Sequence, residues 1–220
     1  MTFEGFPDEG LVFYEGLEAD NSKTYWQQNK AAYETHVRGP LLEMLTELAA
    51  EFGPAKVFRP YRDVRFSHDK TPYKTHQGAV ITPEGRGAGS WYVQISADGL
   101  TVSGGCWRLE SDQVARYRRA VADPVQGPRL EQEVDRLVRG GWSIEGERLT
   151  RVPAGYAADA ERLDLLKHKS LHATKTWEPQ EWLHQRRALE EVRTCWRDLQ
   201  TLNAWIADNV GATTKEIRRR

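Results

Sequence analysis

Apolar positions recur at helical intervals toward both ends of this chain and at strand intervals in its middle. Within residues 1–55, Leu41, Leu45, Leu48 and Phe52 follow Pro40 in steps of four, three and four, and Gly53-Pro54 stops the series. Asp8 is placed to cap a short helix carrying Leu11, Val12, Phe13 and Leu17. Asn21 is placed to cap a second with Tyr25, Trp26, Asn29 and Tyr33. Residues 56–110 change period. Val64 and Phe66 alternate with Asp63, Arg65 and Ser67, and Gln77 to Thr82 continues as a strand. Trp91, Val93 and Ile95 alternate with Tyr92, Gln94 and Ser96 before Ala97-Asp98-Gly99 turns into Leu100 to Ser103, a hairpin signal, with Gly104-Gly105 ending the strand.

Helical intervals return in residues 111–178. Ser111 caps Val114, Tyr117 and Val121, and Pro128 opens a helix with Leu130, Val134 and Leu137 that Gly140-Gly141 closes. Trp142 to Val152 reads as a small hairpin about Glu145-Gly146. Residues 179–209 read as one long helix with Leu189, Val192, Trp196, Leu199, Leu202 and Ile206 on one face, and 210–220 as a basic tail. Strands clustered between helical ends predict an α+β fold. The expectation is a single domain over 1–220, with a central, mainly antiparallel sheet and helices from both chain ends packed on it.

Composition narrows the function classes. With 39% hydrophobic and 29% charged residues and eight tryptophans, the chain has the composition of a folded globular protein. A formal net charge of −1 makes any basic site local and argues against a generic nucleic-acid coat or membrane-surface protein. No apolar run reaches bilayer length, and the N-terminus lacks the basic and apolar regions of a signal peptide. Cys106 and Cys195 have no paired spacing, and no four-ligand zinc pattern is present. These features predict a cytoplasmic, reduced protein.

The candidate chemistry lies in Phe58 to Thr75, FRPYRDVRFSHDKTPYKT. Five cations (Arg59, Arg62, Arg65, Lys70, Lys74) interleave there with Asp63, Asp69, two tyrosines and two prolines. Arginine's planar fork matches phosphate and carboxylate, and tyrosine adds a stacking face and a hydroxyl. Ser67-His68-Asp69-Lys70 reads as a turn, which Pro72 stiffens. The expected ligand-binding residues are Arg62, Arg65, Lys70, Tyr73 and Lys74, with Asp63 and His76 as candidate proton carriers. The competing structural reading is a salt-bridge network in which Asp63 and Asp69 neutralise Arg62 and Arg65. His68 and His76, eight residues apart, match no standard metal site, so no metal is expected. Lys167 and Lys169, flanking His168 before Ser170, complete the anion site if their stretch folds back toward residue 65. The Gly104-Gly105-Cys106-Trp107 corner is a further place for a ligand to approach backbone. No nucleophile elbow, Walker or Rossmann glycine pattern appears.

The run from Tyr61 to His76, YRDVRFSHDKTPYKTH, resembles the motif of domain-of-unknown-function family 2461, which is close to YRDxRFSKDKTPYKTH. Supporting matches are Asn21 through Glu34, Gly104-Gly105-x-Trp107, and Pro153-x-Gly155-Tyr156 leading to Leu165-Leu166-Lys167-His168-Lys169-Ser170. His68 departs from the lysine usual there. The resemblance implies a single α+β domain of soluble bacterial and fungal proteins and names no reaction or cofactor. Taken with the residues, it leaves three functions: a small phosphorylated or carboxylated ligand bound in a basic pocket, with or without catalysis; a nucleic-acid-binding module; and a protein-interaction domain with the motif as an internal strut.

Overall fold

A computed structural model describes residues 2–65, 67–82 and 89–215. One antiparallel sheet of six strands has the order β1-β2-β3-β4-β6-β5, with β1 Lys56–Val57, β2 His76–Ile81, β3 Ser90–Ser96, β4 Gly99–Cys106, β5 Ser143–Glu145 and β6 Leu171–Trp177. The expected α+β class with a central antiparallel sheet is what the chain adopts. Contacts cluster the residues into two compact units, each drawn from three separate stretches of sequence.

The first unit takes the chain up to Ile81, Tyr92–Val102 and Thr176–Cys195. It opens with α1 (Asp8–Ala19) and α2 (Lys23–Ala32), whose N-cap Ser22 accepts from Tyr25 N–H at 3.1 Å. Helix α2 runs through a π-helical stretch, Tyr33–Arg38, into α3 (Gly39–Phe52), which Gly53 closes at φ 96°. Pro7 caps α1 and Ser22 caps α2, each one residue away from the caps expected. The shift at α2 releases Asn21 for another role. Leu41, Leu45, Leu48 and Phe52 are buried as the periodicity required, alongside Phe3, Phe6 and Leu17. On the sheet, Ala79, Ile81, Val93 and Ile95 are fully buried, whereas His76, Val80, Tyr92, Gln94 and Thr101 alternate with buried neighbours and stay half-exposed.

The second unit takes the described part of Thr82–Trp91, Ser103–Lys175 and the chain from Trp196 onward. Helix α4 (Ser111–Ala122) starts with a capping box between Glu110 and Gln113. It is followed by α5 (Gln126–Arg139) and the short α6 (Leu163–Leu166). The expected hairpin about Glu145-Gly146 does not form. Instead β5 pairs with β6, Ser143 opposite Thr174, and Arg148 makes an isolated bridge to His168. The long C-terminal helix is broken as well, into a 3₁₀ turn (Glu181–His184), α7 (Arg187–Asp198) and α8 (Gln200–Asn209), with Leu199 at the break. The expected strand through Val64 is absent. Tyr61 forms only an isolated bridge to Tyr73, and residues 62–64 have no regular structure. The expectations for Phe66 and for residues 216–220 of the basic tail fall outside the described residues.

Candidate functional site

The motif folds as a braced loop because its prolines and carboxylates take up backbone and cation alike. Arg62 N–H bonds Pro72 O at 2.9 Å and Lys74 N–H bonds Pro60 O at 2.8 Å, which closes the loop at its neck. Asn21 reaches the same neck from outside, donating to Tyr73 O and accepting from Tyr73 N–H, both at 3.1 Å. Within the loop, Arg65 donates Nε and Nη2 to the two Asp63 oxygens at 2.9 and 2.7 Å, a bidentate pair. Arg62 donates to Asp69 and to the Thr71 hydroxyl, and Asp69 also caps Thr71 N–H at 2.9 Å. Lys70 donates to Val64 O at 3.0 Å. The Arg65 guanidinium holds the Asp63 carboxyl at about 2. The Thr71 backbone, with Arg62, does the same for Asp69.

Other cations nearby are not answered in this way. Among the described residues, Lys30, Arg59 and Lys74 have no ion-pair partner. Lys74 lies with Nζ 5.2 Å from the Phe58 ring centroid, half-buried, and burial together with the Arg59 charge pulls its pKa below the ordinary 10.5. His76 follows on the same side of the chain, where burial and the Lys74 charge lower it from 6.5. Phe58 leads across the half-exposed sheet face to Tyr92, centroids 6.3 Å apart, and the Tyr92 hydroxyl donates to Gln94 Oε1 at 2.7 Å. Burial raises Tyr92 to about 12, so it stays a neutral donor. Beside Arg59 runs a groove of about 320 Å³ lined by Trp26, Lys30, Tyr33, Arg38 and Tyr61. Trp26 stacks on Tyr73 at 4.4 Å, which buries Tyr73, while Tyr61 is 48% exposed.

Of the residues the sequence proposed, Arg62, Arg65, Lys70, Tyr73, Lys74, Asp63 and His76 all lie in the first unit. Of these, Lys74 and His76 combine a half-buried position with a pKa lowered by burial and, second, by a neighbouring cation. Lys30 and Tyr92 were not among the residues expected from the sequence, and Arg59 was counted among the motif's cations but not among the expected ligand contacts. Arg59 stood in the motif. Tyr92 carried the right parity signal, being the polar partner in the alternation with Val93.

Lys167 and Lys169 belong to the second unit. Lys167 lies 3.6 Å from Asp164, and Lys169 pairs with Glu147. His168 is buried, with Nδ1 2.9 Å from Ser170 O, and Ser170 Oγ accepts from Glu147 N–H at 2.8 Å. The Gly-Gly-Cys-Trp corner comes into this same neighbourhood, since Trp107 stacks on His172 at 5.1 Å. Burial pushes the Cys106 thiol up to about 11, an inert thiol rather than a nucleophile. Among the described residues, no group of three or more histidine, cysteine or acidic side chains is placed to hold a metal.

No curated protein matches the chain. The domain-of-unknown-function family 2461, described as a conserved hypothetical protein, matches residues 9–205, nearly the whole length and all of both constellations. The chain belongs to this family.

Proposed function

We propose that the first unit binds a small anionic ligand, phosphate- or carboxylate-bearing, with Lys74 and Arg59 as its charge contacts. The observation that carries this reading is the unequal pairing of cations within one motif. Arg62 and Arg65 are neutralised by Asp69 and Asp63, while Lys74 and Arg59 are held close together with no ion-pair partner among the described residues. Lys74 is part-buried while Arg59 is exposed, and a bound anion removes the cost of the Arg59 charge on the part-buried ammonium. In this reading the carboxylate-paired arginines and Lys70 stiffen the loop. The groove beyond Arg59 takes the rest of the ligand, with Lys30 as a further charge and Tyr61 as a stacking face. His76, kept neutral near pH 7, is the group placed to take up a proton on binding, and Asp63 stays ionised to orient Arg65.

A ligand of this kind suits a cytoplasmic protein, and no described helix is long and apolar enough to cross a membrane. The test is thermal denaturation with sulfate, inorganic phosphate and nucleoside monophosphates, run on the wild type, Lys74→Met, Arg59→Met and Arg65→Met. A probe at about a hundred times its dissociation constant should stabilise the wild type by roughly 2.7 kcal/mol. That gain should vanish in Lys74→Met and Arg59→Met and persist in Arg65→Met. Equal responses in all four proteins would remove the proposal. The exposed ring of Tyr61 beside Lys30 and Arg59 also suits a single-stranded nucleic acid, whose binding would fall steeply with salt.

A further inference from the structure

The second unit holds a cleft of about 710 Å³, within the range of roughly 300–1,000 Å³ common for small-molecule sites. Its floor is the face of α4 that carries Val114 and Arg118, one turn apart. One wall is the segment of Glu147 and Leu149, tied antiparallel to the Lys167–Lys169 stretch by Leu149 N–H to Lys167 O at 2.9 Å and Lys169 N–H to Glu147 O at 2.7 Å. At the mouth stands Trp107, 38% exposed and stacked on His172.

The charges of this cleft do not balance. Lys169 is answered by Glu147, and Arg108, at the rim, lies 3.7 Å from Glu110. Arg118 has no such partner among the described residues. Its Nε donates to Leu166 O at 3.0 Å, which fixes the guanidinium, and its Nη2 is buried without a hydrogen-bond partner. Arg118 is part-exposed along the cleft, and a guanidinium nitrogen shut off from both water and a partner is unfavourable, which an anion reaching it from the cleft relieves. Leu109, Val114, Ala115 and Leu149 supply apolar lining, Ser111 adds a hydroxyl, and the indole at the mouth offers a flat edge.

We propose that this cleft is a binding site for a small molecule with one carboxylate or phosphate and a flat apolar body, the anion on Arg118 and the body against Trp107 and Leu149. The site shares no residue with the one proposed for the first unit and stands or falls separately.

The experiment follows the Trp107 indole N–H by heteronuclear NMR during titration with phenyl phosphate, benzoate, sulfate and benzyl alcohol, the indole assigned from Trp107→Phe. Phenyl phosphate or benzoate should shift it saturably, sulfate should bind more weakly, and uncharged benzyl alcohol should leave it in place. Followed at the backbone amide of Leu149, which lines the cleft and remains when the reporting indole is removed, Arg118→Met and Trp107→Ala should each weaken the aryl anion about tenfold or more, equivalent to about 1.4 kcal/mol. Lys74→Met should bind it unchanged, which separates this site from the first. Because Arg118 also bonds Leu166, Trp107→Ala, at an exposed ring, keeps the test decisive if Arg118→Met fails to fold. An indole unmoved by either aryl anion would overturn the proposal, as would full affinity in Trp107→Ala.

Discussion

Asn21 shows how the motif depends on single side chains. It meets both backbone groups of Tyr73, an arrangement no neighbour can replace, and it is the residue that sequence logic assigned to a helix cap. Asn21→Ala should cost about 1–3 kcal/mol in urea denaturation, since two part-buried backbone groups lose their partner. Arg65→Met should leave the urea midpoint close to that of the wild type, because its pair with Asp63 is solvent-exposed and screened. The run of cations was plain in the sequence. Which of them have partners was not, because pairing depends on the loop path from Pro60 to Pro72, and that path is set by backbone bonds at the neck.

Among the elements, the β3–β4 hairpin was the most legible. Alternation in Trp91 to Ser96 marked its faces, and Gly99, at φ 104°, stands where the turn needs a left-handed residue. The breaks in the C-terminal helix were not legible, because α7 and α8 continue one apolar periodicity through Leu199. Strand β5 was hidden for a different reason: its partner is β6, some thirty residues away, and no local turn announces that pairing. The half-exposed sheet face is held by a close approach at Gly78, where an added Cβ would stand 2.4 Å from the Tyr92 hydroxyl. Gly78→Ala should therefore displace the Tyr92 ring from Gln94 and cost about 1–3 kcal/mol, read as a lowered Tm.

For the whole molecule, three histidines set the response to mild acid. Burial lowers His76, His168 and His172 from 6.5 in the folded chain. The unfolded chain then binds protons first as pH falls. Stability is complete above about 6.5, declines as pH falls below it, and levels off once the folded histidines also protonate. Asp63 and Asp69, held at about 2, lose their contribution as pH falls from the ordinary carboxylate value toward 2, a window below that of the histidines. Urea midpoints measured at pH 7.5 and about 5.5 should differ in favour of the higher pH. Equal midpoints would mean that these imidazoles titrate normally.

No single cut in the sequence separates the two compact units, since each is assembled from three interleaved stretches. The family match runs through both units and covers Lys30, Arg59, Lys74 and Arg118.

The most direct test of the account is an NMR pH titration of the Lys74 side chain, with and without saturating sulfate. Lys74 should deprotonate below the ordinary 10.5 in the free protein and move upward when sulfate binds beside it. A Lys74 that titrates at 10.5 and ignores sulfate would contradict the anion site.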